Sequence, residues 1–289
     1  MTAFLRSRNG RRPRAAAGFS LVELAIVLAI IALLLGSLMV PLQSQVESRK
    51  VADTQKILDN AREALIGYAA AYGYFPCPAD YAGGSNGAEA AGSTHTAGSG
   101  TCPASVVALG TTGVYVGYLP AATLGFTPVD ANGYAVDAWG GTQPLNRIRY
   151  AVSASSVNST SNCTATPVVR PFTNASGMRS ATMTCIMNAT TLLSVCNTAA
   201  GSTNTACASA ATTLTSNAIA VIWSLGANAA TTGGTSTDEA ENVEALASAE
   251  RVFVMRDKSN IAATEFDDIV TWISTPILFS RLLAAGQLP

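Results

Sequence analysis

The sequence FSLVELAIVLAIIALLLGSLMV occupies residues 19–40 and is apolar over about twenty residues. A helix of that length is long enough to cross a hydrocarbon core about 30 Å thick. Glu23 is the one charged residue in the run. A carboxylate near hydrocarbon is costly unless another group neutralises it. We therefore predict a transmembrane helix at 19–40 in which Glu23 has a function.

A second helical pattern follows Pro41. Apolar residues recur there at spacings near three and four, and charged residues fill many of the other positions. This repeat is typical of a helix that packs one face on a protein core. The apolar positions are Val51, Ile57, Leu58, Ala61, Leu65, Tyr68 and Tyr72. We predict that the helix bends at Pro41 and continues through 41–74, reaching about 55 residues and about 80 Å.

Residues 75–289 form the predicted extracytoplasmic globular domain. Its first part, to about Gly110, is rich in Gly, Ser, Thr and Ala and indicates a long loop. The strand-like runs that follow are 114–119, 147–153, 181–187, 219–225 and 251–255. The apolar stretch from Ile269 to Leu283 contains Pro276 and is interpreted as a short terminal helix. The predicted fold class is α+β, with a long N-terminal helix packed on a small antiparallel sheet and long disulfide-tied loops.

The six cysteines all follow the apolar run, as expected for an exported, oxidised domain. Many connectivities are open to six cysteines. Closure of the shortest loops favours the pairs Cys77–Cys102, Cys163–Cys185 and Cys196–Cys207. No two cysteines have the C-x-x-C spacing that is common in zinc and redox sites, so the sequence disfavours both kinds of site.

Basic residues are concentrated at the N-terminus. Residues 1–18 hold five of the 17 basic residues and no acid, which leaves 12 basic against 18 acidic residues in the rest. Only 12% of the residues are charged, and the mean hydropathy of +0.29 is high for a purely soluble protein. The rest of the chain has no evident basic patch, so nucleic-acid binding is not expected. Residues 1–18 therefore form a predicted basic leader.

The junction between the leader and the apolar run carries a motif. The leader ends in AAAG at Gly18, and FSLVEL begins at Phe19. This junction resembles the prepilin signature of type IV pilins and type II secretion pseudopilins, with a small residue before the cut, an aromatic residue after it and a carboxylate at the fifth mature position. The resemblance implies cleavage after Gly18 by a prepilin peptidase and N-methylation of Phe19. Gly36 and Pro41 lie later than the family's usual glycine and proline.

The resemblance also implies partners and a location. The partners are identical or related pilin subunits, the prepilin peptidase and an inner-membrane assembly platform. The chain is then a single-pass inner-membrane protein before assembly, and part of a periplasmic or cell-surface filament afterwards. The expected function is a structural subunit of a type IV pilus-like or type II secretion pseudopilus filament. A minor or tip pilin that acts in adhesion or partner binding is the alternative.

Glu23 has a physical role in such a filament. Its carboxylate can pair with the terminal amine of Phe19 in a neighbouring subunit, which removes two charges from an apolar environment and fixes the register between subunits. A carboxylate that reaches the membrane surface is the alternative. A secretory signal peptide is disfavoured because its small-residue site follows the apolar segment, whereas here the small residues precede it. A simple anchor has no use for Glu23.

Two parts of the domain resemble the major pseudopilin of type II secretion. DAWG at 137–140 resembles its Asp-Pro-Trp-Gly turn, and WSLGAN at 223–228, together with Asp267 and Asp268, resembles its calcium loop. Asn228 stands where that family has an aspartate. The ligands that the resemblance implies for calcium are the main-chain oxygen of Leu225 and the side chains of Asn228, Asp267 and Asp268. In the alternative, Asp267 and Asp268 cap the terminal helix.

An enzymatic function is not expected. The sequence holds a single histidine, His95, and it lies in a Gly/Ser/Thr-rich loop with no acid or cysteine next to it. Acid–base catalysis and metal-dependent hydrolysis commonly use histidine together with carboxylates. We therefore predict neither a catalytic nor a metal-binding role for His95.

Overall fold

The computed structural model describes residues 18, 20–80, 84, 86–103, 107–109, 113–140, 144–156, 170–181, 186, 192–230, 236–248, 250–261 and 264–288. The helices of four or more residues considered below are α1 (Leu21–Tyr72), α2 (Ala121–Leu124), α3 (Gly177–Ser180), α4 (Thr237–Ser248) and α5 (Thr275–Ala284). The strands are β1 (Val107–Leu109), β2 (Val114–Tyr118), β3 (Arg149–Ser153), β4 (Leu193–Cys196), β5 (Thr213–Ser224), β6 (Val252–Val254) and β7 (Ile269–Ser274).

The chain divides into two compact units, Met1–Ser48 and Arg49–Pro289. In the first unit, the backbone of α1 is helical through Pro41. Every side chain from 21 to 35 is exposed, and most of them are large and apolar. Across the residues that the structure describes, no helix meets the length and hydropathy required of a membrane span.

In the second unit, α1 packs one face on the core of the domain. Its buried apolar side chains are Leu58, Ala61, Leu65, Ile66 and Ala69. The helix ends at Tyr72, and Gly73 follows with a left-handed φ of 80°. The N–H of Gly73 donates to the carbonyl oxygen of Ala69 at 2.8 Å, so a glycine in this conformation satisfies the last turn. Leu58, Ala61 and Leu65 are among the positions that the helical spacing predicts, whereas Tyr72 is 58% exposed and Ile66 and Ala69 were not predicted.

Seven strands from the described residues form one curled sheet. Their order is β1-β2-β3-β5-β4-β6, and β7 pairs with β5. The pairs are antiparallel except for β4 and β6, which run parallel with Val195 opposite Phe253. The predicted class, α+β, is confirmed. The predicted antiparallel pairing holds for most of this sheet, and the exception arises because a long connection through α4 brings β6 beside β4 in the same direction.

Both faces of the sheet are covered. On one face, Tyr150 and Ile222 belong to a core that includes side chains of α1 and α5. On the other face, Trp223 packs against Phe253 of β6, with 4.9 Å between the ring centroids. The central strand β5 is therefore buried at every position from 218 to 224. A strand covered on both faces has a continuous apolar sequence, which explains why this strand was predictable.

The last apolar stretch is not one helix. Ile269–Ser274 form β7, and the helix begins only at Thr275. The sequence IVTWIS is rich in β-branched and aromatic residues, which fit a pleated strand. Pro276 fits the first turn of a helix, so it marks the start of α5 rather than an interruption. Strands β1 and β4 and helix α4 were not predicted, and the predicted strand at 181–187 lies mostly outside the described residues.

Disulfide bonds join Cys77 to Cys102 and Cys196 to Cys207. Both pairs are among those that short loop closure favours. Cys77 and Cys102 lie buried in the same core as the packed face of α1. The predicted pair Cys163–Cys185 lies outside the described residues.

Candidate functional site

Three carboxylates meet in the second unit. Glu239 lies in the first turn of α4, and Asp267 and Asp268 lie directly before β7. All three residues are buried, and one carboxylate oxygen from each lies within 4.8 Å of the other two. Buried acidic residues are normally paired with a cation or coordinate a metal. This cluster is therefore the strongest candidate for a binding site in the domain.

The loop after β5 holds Asp267 in place. The backbone N–H groups of Ala227 and Asn228 donate to Oδ2 of Asp267 at 2.9 and 3.2 Å. The N–H of Asp267 donates to Oε1 of Glu239 at 2.9 Å. Gly226 has a left-handed φ of 67°, and a Cβ atom there would collide with both the carbonyl and the carboxylate of Asp267. This close approach requires glycine at position 226.

Two asparagines orient the other carboxylates. Nδ2 of Asn228 donates to both carboxylate oxygens of Glu239 at 3.1 Å. Nδ2 of Asn242 donates to Oδ2 of Asp268 at 2.7 Å. Asn242 is fixed by β6, because its side chain also donates to the carbonyl of Val254 and accepts from the N–H of Val254, both at 2.9 Å. The cluster is thus assembled from a loop, a helix and two strand ends.

Three carboxylates in the cluster face two cationic side chains, Lys258 acting on Asp267 and Arg149 acting on Asp268. Arg149 of β3 is buried, and its positive charge acts on Asp268 in favour of the ionised form. Among the described residues, no donor reaches Oδ1 of Asp267 or Oδ1 of Asp268, although both atoms are buried. A buried carboxylate oxygen without a donor is unfavourable. The cluster therefore favours protons or another cation.

The pKa values of the two aspartates agree with this excess of negative charge. Burial raises the pKa of Asp267, the charge of Glu239 acts in the same direction, and the pKa reaches about 6. Burial also raises the pKa of Asp268 well above its ordinary value, and the charges of Glu239 and Asp267 act in the same direction. Folding thus makes both carboxyl groups hold a proton more tightly.

The structure brings together three of the side chains that the sequence suggested as calcium ligands, Asn228, Asp267 and Asp268. Leu225, whose main-chain oxygen was the fourth suggested ligand, is buried in the same loop as Asn228. The alternative, that the two aspartates cap the terminal helix, is wrong. Helix α5 begins at Thr275, and its N-cap is Ser274.

Glu239 is the member of the cluster that sequence analysis missed. The spacing of Ser236 and Glu239 is that of a capping box, and the N–H of Glu239 does donate to Oγ of Ser236 at 3.2 Å. The Glu239 carboxylate, however, is turned towards Asn228 and the backbone of Asp267. The capping-box spacing would have located the helix start, but not this orientation.

The DAWG turn supports the same loop. Asp137 accepts a hydrogen bond from Oγ of Ser224 at 2.6 Å and one from the N–H of Trp139 at 3.0 Å. Nδ2 of Asn146 donates to Asp137 at 3.4 Å and lies 3.5 Å from the carbonyl oxygen of Gly226. The turn at 137–140 therefore positions the segment that leads into Asn228.

The N-terminal motif is described from Ser20 onwards, apart from the single residue Gly18. Gly18 is exposed, and Phe19 lies outside the described residues. Ser20 begins the helix: its carbonyl accepts from the N–H of Leu24 at 3.1 Å, and its Oγ accepts from the N–H of Val22 at 3.3 Å. Glu23 is exposed in the first turn of α1, where the helix dipole favours a negative charge.

Residues 13–39 match the family model of the prokaryotic N-terminal methylation motif. The match includes Gly18, Phe19 and Glu23 and supports a type IV pilin-like signature. The methylation motif implies processing by prepilin peptidase and pilin-type assembly. No curated protein and no solved structure matches the chain.

Proposed function

We propose that this chain is a structural, non-enzymatic subunit of a type IV pilus-like or type II secretion pseudopilus filament. Two observations support the proposal: the methylation motif at 13–39, and the apolar side chains of the following helix turns, which are exposed from 21 to 35. An apolar helix surface in a single chain needs lipid or other helices around it. Lipid of the inner membrane covers it before assembly, and neighbouring subunits cover it in the filament.

Glu23 sets the register of assembly in this proposal. Glu23 follows Phe19 by four residues in the sequence, and cleavage after Gly18 would create the free amine of Phe19. In a filament the carboxylate of one subunit pairs with the amine of the next, and opposite charges about 4 Å apart gain about 4 kcal/mol at an effective dielectric constant near 20. A subunit displaced along the filament axis leaves the carboxylate unpaired in an apolar environment.

The first experiment is intact mass and N-terminal sequencing of the chain from membranes and from sheared surface material, in cells with and without prepilin peptidase. A chain that begins at methylated Phe19 in the sheared fraction supports a filament subunit. Its abundance separates a major subunit from a minor or tip pilin acting in adhesion or partner binding. A chain that keeps residues 1–18, or is cut beyond residue 40, contradicts the proposal.

The pairing of Glu23 has its own test. Glu23→Ala should leave membrane insertion and leader cleavage intact and abolish filaments in the sheared fraction. Glu23→Asp is the matched control, because it keeps the negative charge and should retain partial assembly. Normal filament yield from Glu23→Ala contradicts the pairing, while loss of cleavage in that variant shows a role in processing instead.

The domain is also proposed to bind one calcium ion at Glu239, Asp267 and Asp268. Calcium takes several oxygen ligands from carboxylates, amides and backbone carbonyls, and the oxygens of Asn228 and Leu225 lie in the adjoining loop. Support comes from the two buried aspartate oxygens without a donor and from the charge. The three carboxylates exceed the positive charges of Arg149 and Lys258 that act on them, and a divalent cation offsets the remaining repulsion.

A direct titration tests calcium binding. Calcium is titrated into the full chain in detergent after treatment with a chelator, and binding is followed by isothermal titration calorimetry. We expect one calcium per chain and an affinity at least about 10-fold lower in Asp268→Asn. Asp257→Asn is the matched control, because Asp257 is exposed in the preceding loop. Equal affinities in the two variants contradict the site.

A further inference from the structure

A second cluster of ligand-type side chains lies around the Cys77–Cys102 disulfide. Sγ of Cys77, a carboxylate oxygen of Glu89 and a ring nitrogen of His95 lie within 4.8 Å of one another. Cys102 places a second sulfur atom directly on Cys77. Cys77 and Cys102 are 0% and 3% exposed, and the side chains of His95 and Glu89 are 14% and 17% exposed. Three side chains of the types that bind transition metals thus share one nearly buried position, and a second sulfur is bonded to one of them.

The histidine is oriented as a metal ligand. Its Nδ1 lies 2.6 Å from the carbonyl oxygen of Thr173, which can only accept, so Nδ1 carries a hydrogen. Its Nε2 then faces Oε1 of Glu89 at 2.5 Å. The ring stacks on Tyr74 with 4.2 Å between centroids. Metal-binding histidines commonly donate one ring N–H to a backbone carbonyl and turn the other nitrogen to the metal.

The close contact between Nε2 of His95 and Oε1 of Glu89 requires a proton or another cation between them. With the hydrogen on Nδ1, a neutral imidazole would turn the lone pair of Nε2 towards a carboxylate oxygen. In the oxidised protein, a proton between Nε2 of His95 and Oε1 of Glu89 removes the repulsion between the two lone pairs. The carboxylate is itself held in place, because Oε1 of Glu89 accepts from the N–H of Cys77 at 2.5 Å and the N–H of Glu89 donates to Oγ1 of Thr123 at 2.8 Å.

We propose that reduction of the Cys77–Cys102 disulfide converts this cluster into a tetrahedral zinc site with Cys77, Cys102, His95 and Glu89 as ligands. Zinc binds thiolate sulfur at about 2.3 Å and imidazole nitrogen or carboxylate oxygen at about 2.0–2.2 Å. Tetrahedral geometry at those lengths separates Nε2 from the carboxylate oxygen by about 3.3 Å. Reaching that separation requires the Glu89 carboxylate to move away from Nε2 of His95, so the zinc ion replaces their present contact.

The chemistry is balanced by an external dithiol. The dithiol supplies two electrons, the Cys77–Cys102 S–S bond breaks, each sulfur takes one proton, and the dithiol becomes a disulfide. Zinc binding then releases both thiol protons and the proton between His95 and Glu89. Zinc affinity therefore rises with pH. In the reduced protein the zinc ion links Cys77 to Cys102 and so closes the same loop that the disulfide closes in the oxidised protein.

The second described disulfide is an internal control. Cys196 and Cys207 belong to no group of three or more metal-binding side chains among the residues that the structure describes. Reduction of that pair frees two thiols without a histidine or carboxylate in position. The inference depends on neither the filament nor the calcium proposal, because it concerns different residues and a different metal.

Cobalt titration tests the site. The full chain in detergent is reduced anaerobically with a phosphine, freed of it and titrated with Co²⁺, which reports thiolate ligation by charge-transfer absorption and tetrahedral geometry by its visible bands. We expect one Co²⁺ per chain, displaced by Zn²⁺, in wild type and in the Cys196→Ser/Cys207→Ser variant. Cys77→Ser/Cys102→Ser should lose the charge-transfer band, and His95→Gln should bind at least about 10-fold more weakly.

Three results overturn the proposal: no charge-transfer band in the reduced wild type, a band that survives Cys77→Ser/Cys102→Ser, or one lost in Cys196→Ser/Cys207→Ser. Circular dichroism covers the case in which reduction unfolds the chain. Zn²⁺ should then restore the native signal in wild type and Cys196→Ser/Cys207→Ser, and failure to do so counts against the site. His95→Gln keeps the disulfide, so its oxidised fold is verified before reduction.

Discussion

Two clusters in the second unit contain buried or partly buried carboxylates, and their negative charge is neutralised in different ways. Glu89 faces the imidazole of His95, so one carboxylate has one cationic partner from the protein. Glu239, Asp267 and Asp268 place three carboxylates around one point, with the charge of Arg149 acting on Asp268. The first cluster is neutral with protein groups and one proton alone. The second keeps an excess of negative charge, which additional protons or a divalent cation offset.

Both clusters hold protons more tightly in the folded state, but for different reasons. Burial lowers the pKa of His95, while the hydrogen bonds to Glu89 and to the carbonyl of Thr173 raise it, and the net shift is upward. Burial raises the pKa of Asp267 to about 6, with the charge of Glu239 acting in the same direction. The pKa of His95 rises because its protonated ring makes hydrogen bonds to Glu89 and Thr173. The pKa of Asp267 rises because its carboxylate is buried beside another negative charge.

The largest expected effect comes from a substitution that collides with the three-carboxylate cluster. Gly226→Ala should lower the free energy of unfolding by about 2–5 kcal/mol, because it adds left-handed strain to a collision with Asp267. Gly125→Ala is the matched control: its φ of 63° is similar, no atom lies within 4 Å of the added Cβ, and it should cost about 1–2 kcal/mol. Urea unfolding followed by tryptophan fluorescence measures both, and equal costs would falsify the collision.

The next effect concerns calcium and separates the clusters chemically. Calcium at 100 times its Kd should raise the free energy of unfolding of wild type by about 2.7 kcal/mol. Asp268→Asn should remove most of this gain, and in calcium-free buffer it should be at least as stable as wild type, because it relieves repulsion. His95→Gln should keep the full calcium response. A calcium response that depends on His95 but not on Asp268 would contradict the assignment.

A double-mutant cycle measures the neutral cluster. His95→Gln and Glu89→Gln, each alone and together, should give a coupling energy of about 1.5–3 kcal/mol at pH 6, the usual range for a hydrogen bond to a charged group. Thermal or urea unfolding of the disulfide-bonded protein provides the four values. A coupling below about 0.5 kcal/mol would show that the pair contributes no more than an exposed ion pair.

The last prediction concerns the pH dependence, which sharpens the comparison. A group whose folded pKa is raised loses its stabilising contribution as the pH rises through the folded value. Without calcium, stability should therefore fall between pH 3.8 and about 6 because of Asp267, and fall again above pH 6.5 because of His95. Saturating calcium should remove the first fall and leave the second. Urea titrations across this range test it, and a calcium-insensitive first fall would exclude Asp267 as its cause.

Local sequence carries most of the information about the N-terminal helix and its motif. The helix, its packed face and the motif at Gly18 depend on residues three or four positions apart or on adjacent residues, so they are visible as spacing. Strand β5 was predictable for a similar reason, since burial on both faces makes its sequence continuously apolar. Strand β7 was missed because its apolar run continues into α5, and periodicity alone does not separate the two elements.

The composition of the two clusters depends on the tertiary structure. Glu239 joins Asp267 only because α4 and β7 meet beside the loop after β5, and its position in a first helix turn is ordinary. His95 was predicted to be isolated because no acid or cysteine is next to it, yet folding places Glu89 and Cys77 against it. The sequence by itself determined the helix and its processing motif through short-range spacing. Only the tertiary structure decided which distant carboxylates, sulfur atoms and imidazole lie close together. Their proximity depends on distances in space that residue spacing does not encode.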